Sequence, residues 1–217
     1  MPIWVRAATS LVLAGADPAP QFITTAAADR AVVVYLTGYS TVGFDVTAVT
    51  LGGLFPSSLA EDPGDFCTEG HAQAVWLNPL VGRLALDVLF AEAPEEGPLC
   101  LVAFVGANGE LQIIDAESAA DVISGGTADV VLDSATGDFA IAGAASFGAA
   151  PTIGGAGAAN VVGGSQSNNG WNGQLFTLTA GSGTTTPTSA GDYPAVAGVI
   201  FREGAAPQLN SLFFGSM

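Results

Sequence analysis

The chain has 217 residues, of which 49% are hydrophobic and only 11% are charged, and it contains 29 glycines and 12 prolines. A hydrophobic fraction this high excludes intrinsic disorder as the default state, and the apolar runs are too short and broken for a membrane-spanning helix. The 4 basic residues against 20 acidic ones give a net charge of −16, which argues against binding to nucleic acid phosphates or to an anionic membrane surface. The absence of lysine also excludes Schiff-base chemistry and a phosphate-binding P-loop.

Short β-strands are predicted along the whole chain, because apolar and β-branched runs recur between glycine and proline turns. The strongest early strand is RAVVVYLTGY at 30–39, and Asn78-Pro79 marks a turn between two later strands. In the segment 82–90, large apolar residues alternate with more polar ones, which is typical of an antiparallel sheet with one wetter face. In chain order the predicted strands are 3–7, 21–25, 30–39, 44–51, 72–77, 82–90, 99–105, 110–114, 129–132, 138–144, 174–179, 195–201 and 209–214.

These short strands with frequent turns predict an all-β fold, an antiparallel β-sandwich of jelly-roll-like type. We expect a single domain over residues 1–217, with long loops at 55–70, 149–173 and 181–191, the last two rich in glycine. One helical turn is expected at 116–122, with Ser118 as its cap.

The glycine-rich segments at 149–173 and 181–191 have two interpretations. They are either plain connections between strands or a packing and binding surface, since glycine and serine let the backbone of a partner come close. On the second interpretation Trp171, which follows Asn168 and Asn169, is the best candidate for a surface contact.

A second candidate contact is the apolar run Leu212, Phe213 and Phe214. An exposed hydrophobic patch of this kind is typical of a surface that a partner covers. We therefore predict that this run takes part in self-association.

Cys67 and Cys100 are the only cysteines in the sequence. They either form one disulfide, as in many extracellular proteins, or stay unpaired, because small thiols are often simply buried. The spacing alone does not decide between the two.

The single histidine, His71, follows an acidic stretch that contains Glu61, Asp62, Asp65 and Glu69. Carboxylate-rich loops suit Ca²⁺, although the spacing between 61 and 69 lacks the EF-hand pattern. A zinc site built on His71 and Cys67 needs two further ligands, and none is evident. A histidine among acids is more often a solvated surface group, so we predict no metal and no other cofactor and leave a Ca²⁺ site at 61–69 open.

Catalytic signatures are weak. The acidic pairs Glu95-Glu96 and Asp133 with Asp138 resemble the two carboxylates of a glycosidase, but such pairs are expected by chance in a chain with 20 acidic residues. Charged hairpin tips that discourage edge-to-edge aggregation are the favoured explanation. The sequence has no Gly-x-Ser-x-Gly nucleophile elbow. We therefore predict that the protein is not an enzyme.

Four short motifs follow one another along the chain: VTAVTLGG at 46–53, WLNPLVG at 76–82, VAFVG at 102–106 and TGD at 136–138. This series, which extends over about residues 3–203, resembles the β-sandwich domains of virion surface proteins of tailed phages and gene transfer agents, and of some bacterial extracellular proteins. The sequence departs from that pattern in its acidic 55–70 segment and its Gly/Asn/Thr-rich segments.

The resemblance implies a structural virion protein on the outer surface of a particle: a capsid decoration, a head spike or fibre, or a tail component. Its expected partners are further copies of itself, other virion proteins and host surface polysaccharide, with no nucleic acid and no membrane. The alternative is a carbohydrate-binding module of an extracellular bacterial protein, in which Trp171 would stack on a sugar ring. The resemblance transfers no catalytic residue.

Overall fold

The computed structural model describes residues 3–39, 45–62, 69–94, 96–121, 124–163 and 170–204. Within these ranges the chain forms 16 β-strands, and every pairing between them is antiparallel. The predicted all-β antiparallel sandwich is confirmed. The described residues include no helix long and apolar enough to cross a membrane.

The central sheet lies in the middle of the stack. In spatial order it contains β1 (Trp4–Val12), β8 (Glu96–Gly106), β3 (Asp29–Tyr39), β6 (Glu69–Leu77) and β5 (Ser58–Asp62). Both faces of β3 and β8 are buried, and successive residues point alternately into two different cores. This double burial explains why AVVVYL and LCLVAFV are continuous apolar runs rather than alternating ones.

The outer sheet covers one face of the central sheet with three strands. In spatial order these are β2 (Gln21–Thr25), β7 (Gly82–Phe90) and β4 (Val46–Leu51). Leu86, Val88 and Phe90 of β7 point inward, while Arg83 and Leu89 are exposed. The alternation predicted for 82–90 is confirmed.

The long-strand sheet covers the opposite face of the central sheet. It contains β13 (Ala159–Gly163), β14 (Trp171–Thr179), β12 (Phe139–Gly154) and β16 (Thr188–Glu203), and both β9 (Leu111–Ala120) and β10 (Gly126–Asp129) pair with the far edge of β16. The two sheets contact each other strand over strand, with β1 on β13, β8 on β14, β6 on β16 and β5 on β9. The strands are therefore aligned rather than orthogonal.

A third core lies on the outer face of the long-strand sheet. The segment from Ala128 to Leu132 folds over Phe176, Val196 and Ile200, and β11 (Leu132–Ser134) pairs with β15 (Gly183–Thr185) beside it. A Cβ on Gly198 would lie 2.7 Å from Leu132 Cδ1, so the leucine packs directly on the backbone of β16.

The helical turn predicted at 116–122 is wrong. Residues 116–120 belong to β9 and pair with β16. Ala116 and Ala120 point toward the core between the central and long-strand sheets. Alanine favours a helix locally, but pairing with a buried neighbouring strand overrides that preference.

The predicted long loops are also shorter than expected. The segment 55–70 contains β5, 149–173 contains β13 and the end of β12, and 181–191 contains β15 and the start of β16. Glycine, alanine and threonine give a weak strand signal, yet here they complete ladders beside strongly apolar strands. The strand predicted at 209–214 lies outside the described residues.

Candidate functional site

Trp171 is buried and is only 3% exposed. Its ring lies edge-on to Phe147, its register partner on β12, with ring centroids 5.3 Å apart. The predicted surface contact at Trp171 is therefore wrong, because β14 begins at this residue and turns the indole inward. The other predicted contact residues, Asn168, Asn169, Leu212, Phe213 and Phe214, lie outside the described residues.

His71 is fully buried on β6, and its ring centroid lies 6.0 Å from that of Tyr35. The interpretation of a solvated surface histidine is wrong. Glu61 on β5 is the register partner of Ala72 and so faces away from His71, because neighbouring residues of a strand point to opposite faces. In the part of the chain that the structure describes, no three His, Cys, Asp or Glu side chains come close enough to hold a metal ion.

A polar row surrounds His71 inside the sandwich. Tyr35 pairs with Gln73 and Thr37 pairs with His71, and all four side chains are at most 1% exposed. The Thr37 hydroxyl and both amide atoms of Gln73 make no hydrogen bond with a described residue. A buried hydroxyl or amide without such a bond costs free energy, so Thr37 and Gln73 are the two destabilising members of this row.

Cys100 is a free thiol, fully buried in the core between the central and outer sheets. Its burial raises the pKa of the thiol to about 12. This favours the interpretation of two unpaired cysteines, and it keeps Cys100 protonated and unreactive near neutral pH.

Asp138 closes the predicted TGD turn. Its carboxylate accepts hydrogen bonds from Arg202 Nε at 2.7 Å and Nη2 at 2.8 Å, and also from the Ala135 N–H at 2.7 Å. The Arg202 guanidinium is the main reason that the pKa of Asp138 lies below its ordinary value. These contacts favour a structural role for Asp138 at a hairpin tip over a role as one of two catalytic carboxylates. Glu95 and the side chain of Glu96 lie outside the part of the chain that the structure describes.

An apolar groove lies where the outer sheet meets the end of β6. Its volume is about 270 Å³, and eight of its ten lining residues are apolar, the other two being Ser57 and Asn78. The apolar lining residues are Leu51, Leu54, Phe55, Trp76, Leu77, Pro79, Leu80 and Leu84. No lining residue is charged.

The first rim of the apolar groove is a tight turn after β4. The N–H groups of Leu51 and Leu54 each donate to the other's carbonyl, at 2.9 and 3.1 Å. Gly52 and Gly53 between them have φ of 59° and 78°, a conformation that glycine adopts without strain. Trp76 Nε1 donates to the Leu54 carbonyl at 2.9 Å, so the indole ties this rim to the central sheet.

The second rim is the turn between β6 and β7. The Thr25 hydroxyl, which is 3% exposed, accepts the Gly82 N–H at 3.1 Å and also bonds to the Leu80 carbonyl. The Asn78 N–H donates to the Arg30 carbonyl at 2.8 Å. The backbone of both rims is therefore held in place.

Large apolar side chains nevertheless face solvent along these rims. Phe55 is 73% exposed, Leu80 is 56% exposed, Leu54 is 53% exposed, and Val81 next to Leu80 is 65% exposed. A cluster of exposed apolar side chains on a fixed backbone is typical of a protein interaction surface.

The sequence pattern does not predict the apolar groove, because 55–70 has the composition of an acidic loop and Asn78-Pro79 that of a turn. The available signal was the presence of Phe55, Leu80 and Val81 inside turn segments, where polar residues are usual.

Neither the family models nor the curated proteins contain a match to this chain. The resemblance to virion surface proteins stays a prediction. The geometry of the apolar groove is thus the main structural guide to function.

Proposed function

We propose that the protein is a structural component of the outer surface of a tailed phage or phage-like particle, in the manner of a capsid decoration, spike, fibre or tail component. In this role it works by assembling with copies of itself and with other virion proteins. The apolar groove with its exposed rims is the observation that carries the proposal. The sequence resemblance supports the same role.

The apolar groove supplies part of the free energy that drives a contact with another protein. Fully burying a leucine, valine or phenylalanine side chain stabilises by about 1.5–3 kcal/mol. Since the four rim side chains are already partly buried, covering each adds about 1 kcal/mol, or roughly 4 kcal/mol for the four. The backbone of the rims is already held by hydrogen bonds, so binding does not have to order the rim backbone.

The charge of the protein suits an outer surface. A net charge of −16 keeps separate copies apart in dilute buffer and is screened by salt. Association through an uncharged groove is therefore expected to strengthen as the salt concentration rises.

The test is the mass of the full chain in solution, measured by light scattering over a range of salt and protein concentrations. We compare the wild type with Leu80→Asp, which places a charge on the groove rim, and with Val131→Asp. Val131 is a matched control because it is 53% exposed, close to the 56% of Leu80, and does not line the groove. Circular dichroism melts check that both variants fold.

We expect the wild type and Val131→Asp to form the same oligomer and Leu80→Asp to be monomeric. A wild type that stays monomeric under all conditions refutes self-assembly, and equal effects of the two variants refute the groove as its site. Detection of the chain on the outside of purified particles by immunogold labelling then tests the virion role.

A carbohydrate-binding module is the second candidate function. Burial of Trp171 removes the ring that we expected to stack on a sugar, but Phe55 presents an aromatic face beside Asn78 and Ser57 in the apolar groove. This candidate predicts saturable binding on a glycan array that Phe55→Ser abolishes. Absence of any glycan binding by the wild type counts against it.

A further inference from the structure

The strands β6 and β16 lie on each other and end at the same end of the sandwich. A Cβ on Gly143 would lie 2.2 Å from Tyr35 Cγ, so these two residues are at the same level in the facing sheets. On β6 and β16, the strands that pair with those of Tyr35 and Gly143, we count four residues from this level toward the C-terminal end of each strand. This count reaches Leu77 of β6 and Phe201 of β16, which therefore lie opposite each other. Leu77 lines the apolar groove and also packs against the core that contains Phe201.

The chain therefore leaves the fold close to the groove. The Gly204 N–H donates to the Glu110 carbonyl at 2.8 Å, which holds the exit point just after β16. The groove lies about 10–20 Å away, or one to two sheet spacings. An extended chain covers about 3.3 Å per residue, so about three to six residues bridge that distance. The first large apolar residue after Gly204 is Leu209, and Leu212, Phe213 and Phe214 follow.

The chemistry of this segment matches that of the groove. Residues 204–217 carry no charged side chain in a chain with 20 acidic residues, and the groove lining is also uncharged. Leu209, Leu212, Phe213 and Phe214 are of the same apolar kind as the lining. An uncharged segment can approach another strongly acidic copy without adding repulsion.

We propose that the apolar groove binds the segment 209–214 of a neighbouring copy of the same chain. This inference rests on the proposed assembly function and names the partner of its site. The rim residues Phe55, Leu80 and Leu54 are 53–73% exposed, so they offer apolar surface that a second copy can cover. Each copy gives one segment and receives one, so the contact joins copies head to tail and closes into a ring where the rotation between neighbours permits it.

Photo-cross-linking of the full chain tests this directly. The substitution Phe213→p-benzoylphenylalanine keeps an aromatic side chain and lies beyond the last described strand. After irradiation, the cross-linked species are separated by size and the joined peptides are identified by mass spectrometry. We expect a dimer band in which position 213 is joined to groove residues such as Leu54, Phe55 or Leu80.

Two second-site variants serve as matched controls. Added to the cross-linking chain, Leu80→Asp is expected to lower the yield of dimer about ten-fold or more, because binding of the incoming segment would then bury an unpaired carboxylate. Val131→Asp is expected to leave the yield unchanged. A free peptide of residues 205–217 is expected to compete, and the same peptide with serine at 212–214 is not.

The outcomes separate the two proposals. Cross-links to the groove within a monomer band, or to other surfaces of a dimer, refute the exchange of this segment between copies. If the chain still forms an oligomer that Leu80→Asp disrupts, the assembly function stands while this inference falls. If the wild type does not associate at all, both fall.

Discussion

Gly143 on β12 lies directly under the ring of Tyr35, and a side chain at this position has no room. An ideal Cβ would be 2.2 Å from Tyr35 Cγ, 2.3 Å from Cδ2 and 2.7 Å from Cδ1. Carbon atoms in good contact are about 3.5–4.0 Å apart, so the overlap exceeds about 1 Å. Tyr35 is fully buried between Leu101 and Gln73 on the flanking strands, which leaves the ring little freedom to move aside.

We expect Gly143→Ala to lower the free energy of unfolding by about 1–3 kcal/mol, the usual cost of overpacking a core. For a chain of this length each kcal/mol shifts Tm by about 2–4 °C, so Tm should fall by about 2–12 °C. Urea unfolding and calorimetry measure both quantities. Gly204→Ala is the matched control, because the nearest atom to its Cβ lies 3.5 Å away and no shift beyond about 0.5 kcal/mol is expected.

A Gly143→Ala variant as stable as the control would refute the close contact between the central and long-strand sheets. A double-mutant cycle with Tyr35→Ala sharpens the test. Tyr35→Ala alone leaves a cavity, and the added methyl of Gly143→Ala then fills part of it. The double variant should therefore lose less stability than the sum of the two single variants.

Three further predictions concern buried or paired polar groups. In a Cys67→Ser background, Cys100 should resist alkylation at pH 8 until the protein unfolds, since its thiol has a pKa of about 12; rapid labelling of the native protein would contradict its burial. Arg202→Met should reduce stability at neutral pH. In an acid unfolding series its difference from the wild type should shrink as pH falls below the ordinary Asp138 pKa of 3.8 and vanish once Asp138 is protonated in the folded state, because a lowered pKa stabilises only the ionised form; a difference that stays constant as pH falls would rule out the ion pair as its source. Gln73→Met should raise stability by about 1–3 kcal/mol in thermal and urea melts by removing an amide that bonds to no described residue, and a loss of stability would show that the amide has a bound partner.

Local pattern predicted much of the fold. The alternation in 82–90 correctly indicated one buried and one exposed face of β7, and the run RAVVVYLTGY correctly indicated a strand. The prediction failed where residues are small. Ala116 and Ala120 suggested a helical turn, and the Gly/Thr-rich segments suggested loops, because the strand character of these residues comes from pairing with β16 and β14 rather than from their own preference.

The site was harder to predict than the fold. The side chains of Trp171 and His71 carry polar N–H groups and lie in segments with many polar residues, so the sequence predicts that both side chains are exposed to solvent. Whether a strand residue faces the core depends on the register with its neighbours, and one step of register reverses the face. The apolar groove joins residues near 54, 76 and 80 that only the packing of two sheets brings together.

The sequence by itself determined the all-β class, the acidic surface and the positions of the strongest strands, because these depend on composition and on the period of apolar residues along one segment. Only the tertiary structure decided that a third sheet buries the second face of β3 and β8, that His71 points away from Glu61, and that exposed leucines and Phe55 form one groove. Those features depend on which strands pair and in what register. Pairing is set by contacts between residues far apart in the chain, and no local pattern carries that information.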